Sequence, residues 1–162
     1  MSRIVVMGAG SWGTTVAKVI ADAGNEVVLW SRREEVSTEI NETKRNSDYL
    51  PGIDLPAKLS ATSDLELALK DAEQIYLAIP SQSLRENLES WKELIPKSAT
   101  LISLIKGLEQ GTGLRMSEVM AQATGLPMTH MAVVSGPNLA LEIAKQEPAA
   151  SVCACADSDR AN

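Results

Sequence analysis

Three glycines near the start of the chain have the spacing of a phosphate-binding turn. Gly8, Gly10 and Gly13 form a G-x-G-x-x-G pattern between an apolar run at 3–7 and a predicted helix at 14–23. In such a unit the first glycine permits a tight turn, the second lets a pyrophosphate approach the backbone, and the third lets the helix pack closely against the strand. Unpaired N–H groups at the helix start also favour an anion. The pattern therefore predicts a dinucleotide site, with an ordinary strand-to-helix turn as the alternative.

The residues after the second predicted strand indicate which dinucleotide binds. That strand, 26–30, is followed by Ser31, Arg32 and Arg33, and an acidic residue is missing from the position that takes the ribose hydroxyls in NAD sites. A hydroxyl and two guanidinium groups suit a 2′-phosphate, because arginine offers forked donors to phosphate oxygens. The alternative is a solvated basic pair at a helix start, where positive charge is unfavourable. The sequence therefore predicts that NADPH is the preferred cofactor and that NADH can also bind.

Two further groups of residues follow predicted strands directly. Lys106-Gly107 comes after one strand, and Gly136-Pro137-Asn138 comes after the next, with Asn138 predicted as the N-cap of a helix. Ligands of open α/β sheets bind at the carboxyl ends of the strands, so we expect these residues to meet the glycine turn in one pocket. Taken separately, each group has a simpler explanation, as a surface cation or as a turn.

The elements that must position these residues alternate along the chain. Strands are predicted at 3–7, 26–30, 59–62, 74–79, 100–105, 131–134 and 151–156, and helices at 14–23, 33–46, shortly after 63, at 83–94, 113–124 and 138–145. Ser63 and Ser83 each precede a glutamate by three residues, a pattern that predicts capping boxes. The alternation predicts an α/β fold with a doubly wound, mostly parallel sheet of the Rossmann type. Residues 1–156 form the predicted dinucleotide-binding domain, and 157–162 its polar end.

Composition narrows the classes of function. The 162 residues are 44% hydrophobic, enough for one domain with its own core, and the net charge of −6 argues against nucleic acid as a partner. The N-terminus lacks the pattern of a signal peptide, and no apolar run has the length of a membrane span, so a cytoplasmic location is expected. Cys153 and Cys155 are predicted to be buried reduced thiols. His130 is predicted to lie in a loop, and no cluster of metal ligands is expected.

The motifs together resemble one enzyme family. The blocks are Gly8 to Thr14 (GAGSWGT), Tyr49-Leu50-Pro51, Lys106-Gly107-Leu108 and Ser135 to Glu142 (SGPNLALE). In combination they are similar to the bacterial NAD(P)-dependent glycerol-3-phosphate dehydrogenases. The resemblance implies reversible hydride transfer between a nicotinamide cofactor and dihydroxyacetone phosphate, which gives sn-glycerol 3-phosphate for phospholipid synthesis.

The same resemblance implies roles for individual residues. Lys106 would contact both cofactor and substrate, and Gly136 and Asn138 the substrate. The cofactor would also contact Ser11, Trp12, Arg32, Arg33, Tyr49 and Ala140. Ile105 and Asn138 depart from the family pattern, since small or hydroxyl residues are usual at these positions. The family also carries a helical C-terminal domain with a lysine as general acid/base, and that domain is not within these 162 residues. The chain is therefore expected to hold no catalytic acid of its own. Lys106 would have an electrostatic and positioning role. A homodimer of the whole protein is compatible with the resemblance.

Two other functions fit a dinucleotide-binding domain. One is a different two-domain dehydrogenase that reduces another keto or sugar substrate, which the Gly136-Pro137-Asn138 block argues against. The other is a nucleotide-sensing module without catalysis. Such modules usually keep the acidic residue after the second strand and have no need of Lys106-Gly107.

Overall fold

Seven strands form one sheet in the computed structural model, which describes residues 2–161. Their order across the sheet is β3-β2-β1-β4-β5-β6-β7. All neighbouring strands are parallel except β6 and β7, which are antiparallel. The strands are β1 Ile4–Met7, β2 Val27–Trp30, β3 Leu59–Thr62, β4 Gln74–Leu77, β5 Thr100–Ser103, β6 Met131–Ser135 and β7 Val152–Cys155. The predicted doubly wound, mostly parallel sheet is confirmed.

Helices cover both faces of the sheet. They are α1 Ser11–Asp22, α2 Glu34–Thr43, α3 Leu65–Leu69, α4 Leu84–Trp91, α5 Met116–Thr124, α6 Ala140–Ala144 and α7 Ser158–Ala161, with short 3-10 turns at Ser81–Ser83 and Met128–His130. Side chains of α1, α2 and α6 join the core on one face, and those of α3, α4 and α5 join the core on the other. Within the described residues, no helix combines the length and apolar character needed to cross a bilayer.

The central strand β1 shows why this arrangement is stable. Ile4 and Val6 point to the core under α1, whereas Val5 and Met7 point to the core under α4 and α5, as the two-residue period of a strand requires. All four side chains are buried. A strand buried on both faces must be apolar throughout, and this run satisfies that condition.

Both predicted capping boxes are wrong: the first has a different cap residue, and the second lacks the capping hydrogen bond. In α3 the cap is Asp64, whose carboxylate accepts a hydrogen bond of 3.0 Å from the N–H of Leu67. Ser83 precedes α4, but its hydroxyl donates to the carbonyl of Pro80 at 3.0 Å instead of capping the helix. The reason is the 3-10 turn before α4, which already gives Ser83 a helical backbone and turns its hydroxyl back toward Pro80.

The end of the chain also differs from expectation. Cys153 is exposed and Cys155 is partly exposed, both as free thiols, so their predicted burial is wrong. The reason is that β7 is an edge strand, paired only with β6. Residues predicted as a polar end form the single helical turn α7. Arg160 of α7 donates to the Ser98 carbonyl at 3.1 Å and to the Thr100 hydroxyl at 2.6 Å, where β5 begins.

Candidate functional site

The site lies where the direction of the sheet reverses. From β1 the chain builds β2 and β3 outward on one side and then returns to place β4 on the other side of β1. The connections leaving β1 and β4 therefore diverge and open a crevice at their carboxyl ends. Met7 pairs with Leu77, and Leu77 with Ser103, so the loops after β1, β4 and β5 all leave the same edge. We call this edge, where β1, β4, β5 and β6 end, the carboxyl edge.

The glycine turn, residues 8–13, shows a separate reason for each glycine. Gly8 has φ +117°, and a Cβ there would lie 2.5 Å from the Ala78 carbonyl oxygen. A Cβ on Gly13 would lie 1.9 Å from the Gly8 oxygen. The fold thus requires both, because the turn, α1 and the end of β4 pack backbone to backbone. A Cβ on Gly10 would meet no atom within 4 Å, so the packing of this chain does not require glycine there, and space is left for a ligand.

This difference predicts opposite results for two alanine substitutions. Gly13→Ala should destabilise the fold by up to about 2 kcal/mol, because overpacking against backbone costs about 1–3 kcal/mol and alanine regains about 1 kcal/mol in a helix. Gly10→Ala should cost less than about 1 kcal/mol of stability, yet weaken NADPH binding about tenfold or more by overfilling the ligand space. Thermal unfolding and NADPH titration of both variants measure these effects. Unchanged unfolding of Gly13→Ala would contradict the packing argument.

A buried amide ties the loop 46–50 to the glycine turn. Asn46 is fully buried, and its Nδ2 donates to the Ala9 carbonyl at 3.0 Å and to the Thr14 hydroxyl at 2.8 Å. The hydroxyl of Ser11 donates to the carbonyl of Tyr49 in the same loop. Sequence reasoning placed Asn46 inside a helix and missed this role, since α2 ends at Thr43 and Lys44 follows in a left-handed conformation. These bonds bring Tyr49 to the carboxyl edge, at the start of α1, where Trp12 is partly buried.

The two arginines after β2 have different surroundings. The N–H of Gly8 donates to the Trp30 carbonyl at 3.0 Å, so the end of β2 lies beside the glycine turn. Arg33 forms an ion pair with Asp48 at 2.6 Å and lies over the Tyr49 ring at 5.3 Å from its centroid. The hydrogen bond that Arg33 donates to the Asp48 carboxylate raises the pKa of this guanidinium. Arg32 is exposed and has no ion-pair partner in residues 2–161, so it is the freer group for an anion.

Lys106 and Gly136 meet at the same edge. Lys106 is exposed, and its Nζ donates to the Gly136 carbonyl at 3.1 Å. A Cβ on Gly136 would lie 2.3 Å from the Ala150 carbonyl oxygen, so glycine is required where the chain passes close on its way into β7. Ala140 lies against α1. Its carbonyl accepts a hydrogen bond of 3.2 Å from the Thr15 hydroxyl, which fixes α6 against α1.

Asn138 does not open a helix, so the prediction of an N-cap is wrong. The cap of α6 is Leu139, and the helix begins at Ala140. A tight turn, in which the N–H of Asn138 donates to the Gly136 carbonyl at 2.9 Å, keeps residues 136–138 out of the helix. The Asn138 Oδ1 instead accepts from the Ser151 hydroxyl at 2.9 Å, and its buried Nδ2 has no hydrogen-bond partner within the described chain.

The structure thus brings the predicted residues to one edge and leaves others far from it. The glycine turn, Ser11, Trp12, Arg32, Tyr49, Lys106 and Gly136 all belong to segments that leave the carboxyl edge or pack on its loops. His130 precedes β6 and contacts the Ala99 carbonyl before β5, which places it at the opposite edge. Nowhere in residues 2–161 do three His, Cys, Asp or Glu side chains gather as a metal site would need. The edge offers helix N–H groups and cations, which are the groups that bind the phosphates of a dinucleotide.

Comparisons with known proteins point to one family. The family model described as NAD-dependent glycerol-3-phosphate dehydrogenase N-terminus matches residues 3–161. The chain is 58% identical over 161 residues to a glycerol-3-phosphate dehydrogenase (NAD(P)+) of Corynebacterium glutamicum, covering 99% of this chain and 48% of the relative. It is 56% identical over 160 residues to glycerol-3-phosphate dehydrogenase (NAD(P)+) 2 of Mycobacterium tuberculosis, with the same coverage.

A solved structure shows the same fold. The glycerol-3-phosphate dehydrogenase of Coxiella burnetii superposes with a TM-score of 0.90 at 36% identity, covering 98% of this chain and 48% of that one. The chain therefore spans about half the length of the curated relatives it matches.

Proposed function

The chain belongs to the family of NAD-dependent glycerol-3-phosphate dehydrogenases, whose N-terminal region it matches, and from this premise we propose that the full protein interconverts dihydroxyacetone phosphate and sn-glycerol 3-phosphate. The observation that carries the proposal is the contact between Lys106 and Gly136 at the carboxyl edge, the edge at which the glycine turn also lies. It supplies a cation for a phosphorylated ketone at the same edge as the turn that would bind a dinucleotide. By the family resemblance, the reaction would serve phospholipid synthesis in the cytoplasm, and a homodimer stays a prediction.

The residues present fit a dinucleotide phosphate. The first N–H groups of α1 would bind the pyrophosphate above Gly10, whose missing Cβ leaves that space open. Arg32 would bind a 2′-phosphate, while Arg33 and Tyr49, stacked on each other, would border the adenosine end. Ser11, Trp12 and Ala140 lie along or against the first part of α1 and complete the proposed cofactor contacts. A bound NADPH supplies the hydride.

Lys106 would stabilise the charge that develops on the substrate. Hydride addition to a ketone turns the carbonyl oxygen into an alkoxide, and a preorganised ammonium beside that oxygen lowers the barrier. The Gly136 carbonyl holds the ammonium at the carboxyl edge. Asn138 would contact the substrate through its unpaired Nδ2 once its side chain leaves Ser151.

The proton for the alkoxide would come from outside these residues. Near Lys106, the Glu109 carboxyl has a pKa lowered to about 2 by Arg85 and Thr112, so it is ionised at neutral pH and cannot donate. We propose that residues 1–156 are the dinucleotide-binding domain and that a helical substrate domain follows 157–162. A cavity of about 620 Å³ above the sheet face, lined by Tyr76, Ile102 and Val134 among others, offers that domain a place to pack.

Cofactor preference is testable at Arg32. Arg32→Ala should weaken NADPH binding about tenfold or more, since a hydrogen bond to a charged group contributes about 1.5–3 kcal/mol. NADH binding should hardly change, because NADH lacks the 2′-phosphate. Arg45→Ala, which removes an exposed arginine paired with Asp54, is the matched control and should leave both affinities unchanged. Equal affinity of the unmutated chain for the two cofactors would contradict the preference for NADPH.

The proposed activity is tested with the full-length protein. Purified enzyme, NADPH and dihydroxyacetone phosphate should give loss of NADPH absorbance together with sn-glycerol 3-phosphate as product. Turnover of another ketone alone would favour a different two-domain dehydrogenase. Dinucleotide binding with no turnover of any ketone would favour a sensing module.

A further inference from the structure

The loop that carries Lys106 is exposed at its start. After β5 the chain forms a small hairpin, in which Leu108 pairs with Arg115 and the N–H of Glu109 donates to the Leu114 carbonyl at 2.9 Å. We call residues 106–115 the lysine loop. Leu108 is 55% exposed, and Gly107 has φ +106°. Ile105, just before the loop, and Leu114, near its end, pack on the core, whereas residues 107–113 depend on polar contacts for their position.

Gln82 binds the backbone of this loop with both ends of its amide. Its Nε2 donates to the Leu108 carbonyl at 3.0 Å, and its Oε1 accepts from the Gln110 N–H at 2.9 Å. This pair of bonds replaces the contacts that a neighbouring strand would make. Gln82 lies in the 3-10 turn that follows β4, just beyond Ala78, whose carbonyl packs on Gly8. One short segment thus contacts both the glycine turn and the lysine loop.

Arg85 makes a second, ionic connection. Its Nε and one terminal nitrogen donate to the two carboxylate oxygens of Glu109 at 2.8 and 2.9 Å, and that nitrogen also donates to Gln122 of α5 at 3.0 Å. The Glu109 side chain is 12% exposed, and Thr112 donates to it at 2.6 Å. Its pKa of about 2, below the ordinary 4.5, means that the contact is fully ionised above pH 4.5 and weakens only as the pH falls toward 2.

We propose that Gln82 and Arg85 are positioning residues that hold the lysine loop on the segment after β4, so that Lys106 stays beside Gly136. The inference rests on the proposed function, since it assigns these residues to the same reaction. Both side chains bind residues 108–110 of the loop, while the Lys106 ammonium bonds Gly136, so we assign both an effect that is transmitted through the position of Lys106. A displacement of about 1 Å in a positioned group can cost about 10²-fold in rate, so loosening this loop should be visible in turnover.

The test uses variants of the full-length enzyme. Arg85→Ala should lower kcat/KM for dihydroxyacetone phosphate by roughly 10-fold to 10²-fold, with the NADPH Kd unchanged. Arg115→Ala is the matched control: it removes an ion pair of the same loop, to Glu118, which does not reach α4, and should leave kcat/KM unchanged. In a Lys106→Ala background, Arg85→Ala should cause no further loss, because it acts through the lysine. A merely structural role would give additive losses instead.

Other outcomes separate this inference from the proposed function. An inactive unmutated enzyme means that the proposed function is wrong. In that case the inference about the loop is tested by amide hydrogen exchange in the 162-residue chain, where Arg85→Ala should increase the exchange rates of residues 107–113. The inference is overturned if Arg85→Ala leaves amide exchange or kcat/KM unchanged. It is also overturned if the losses of Arg85→Ala and Lys106→Ala are additive. Should Arg85→Ala fail to fold, Gln82→Ala is measured in the same way with the same expected pattern.

Discussion

The 162-residue chain by itself is expected to bind NADPH and to leave dihydroxyacetone phosphate unreduced. Positioned proton transfer contributes about 10²–10⁴-fold, and lost substrate positioning costs more. At the carboxyl edge, Glu109 is held ionised by Arg85, and His130 lies at the opposite edge. Dinucleotide titration followed by a steady-state assay with NADPH measures both halves of the prediction.

The control for this prediction is the full-length protein, prepared and assayed in parallel. It should turn over at a rate typical of enzymes, about 1–10³ s⁻¹. Comparable turnover by the shorter chain would contradict the account, because the proton donor would then have to lie within the described residues. Failure of the shorter chain to bind NADPH would contradict the proposed role of the glycine turn.

Lys106→Ala in the full-length enzyme should lower kcat/KM at least about 10²-fold, the scale for removing one preorganised donor from a developing oxyanion. The melting temperature should hardly change, because the Lys106 side chain is exposed and contacts the fold through one hydrogen bond to the Gly136 carbonyl. Thermal unfolding and kcat/KM are measured on the same preparation.

Lys97→Ala is the matched control for this substitution. Lys97 is also exposed, but it precedes β5 at the opposite edge of the sheet, so its removal should change neither activity nor stability. Catalysis near the unmutated level in Lys106→Ala would show that Lys106 is only a solvated surface cation. A large loss of stability would show that its role is structural.

The order of elements followed from local pattern alone. Apolar runs such as Ile4 to Met7 are buried on both faces, and their alternation with helices admits few arrangements other than a parallel sheet. Gly8 and Gly13 were predictable for the same reason, since the requirement for a tight, close-packed turn is local in sequence. The edge at which Lys106 and Gly136 meet then followed from the rule that parallel strands end together.

Features that depend on distant partners could not be predicted. Asn46 lies in a polar stretch, and only the fold shows that its amide is buried against Ala9 and Thr14. Asn138 has the residue type of an N-cap, yet Ser151, thirteen positions later, binds its side chain. The contact between Arg85 and Glu109 likewise spans 24 positions. Local propensity carries no information about such pairs, which is why the connections of the site were missed while its glycines were found.

Binding of the nicotinamide dinucleotide at the carboxyl edge of this sheet is tested by an NADPH titration followed by amide nitrogen–proton NMR. Saturable shifts are expected at Gly10, Ser11 and Arg32, with amides of the opposite edge, such as Gly24 and Gly125, unchanged. Shifts confined to that opposite edge, or no shifts at saturating NADPH, would contradict binding at the carboxyl edge.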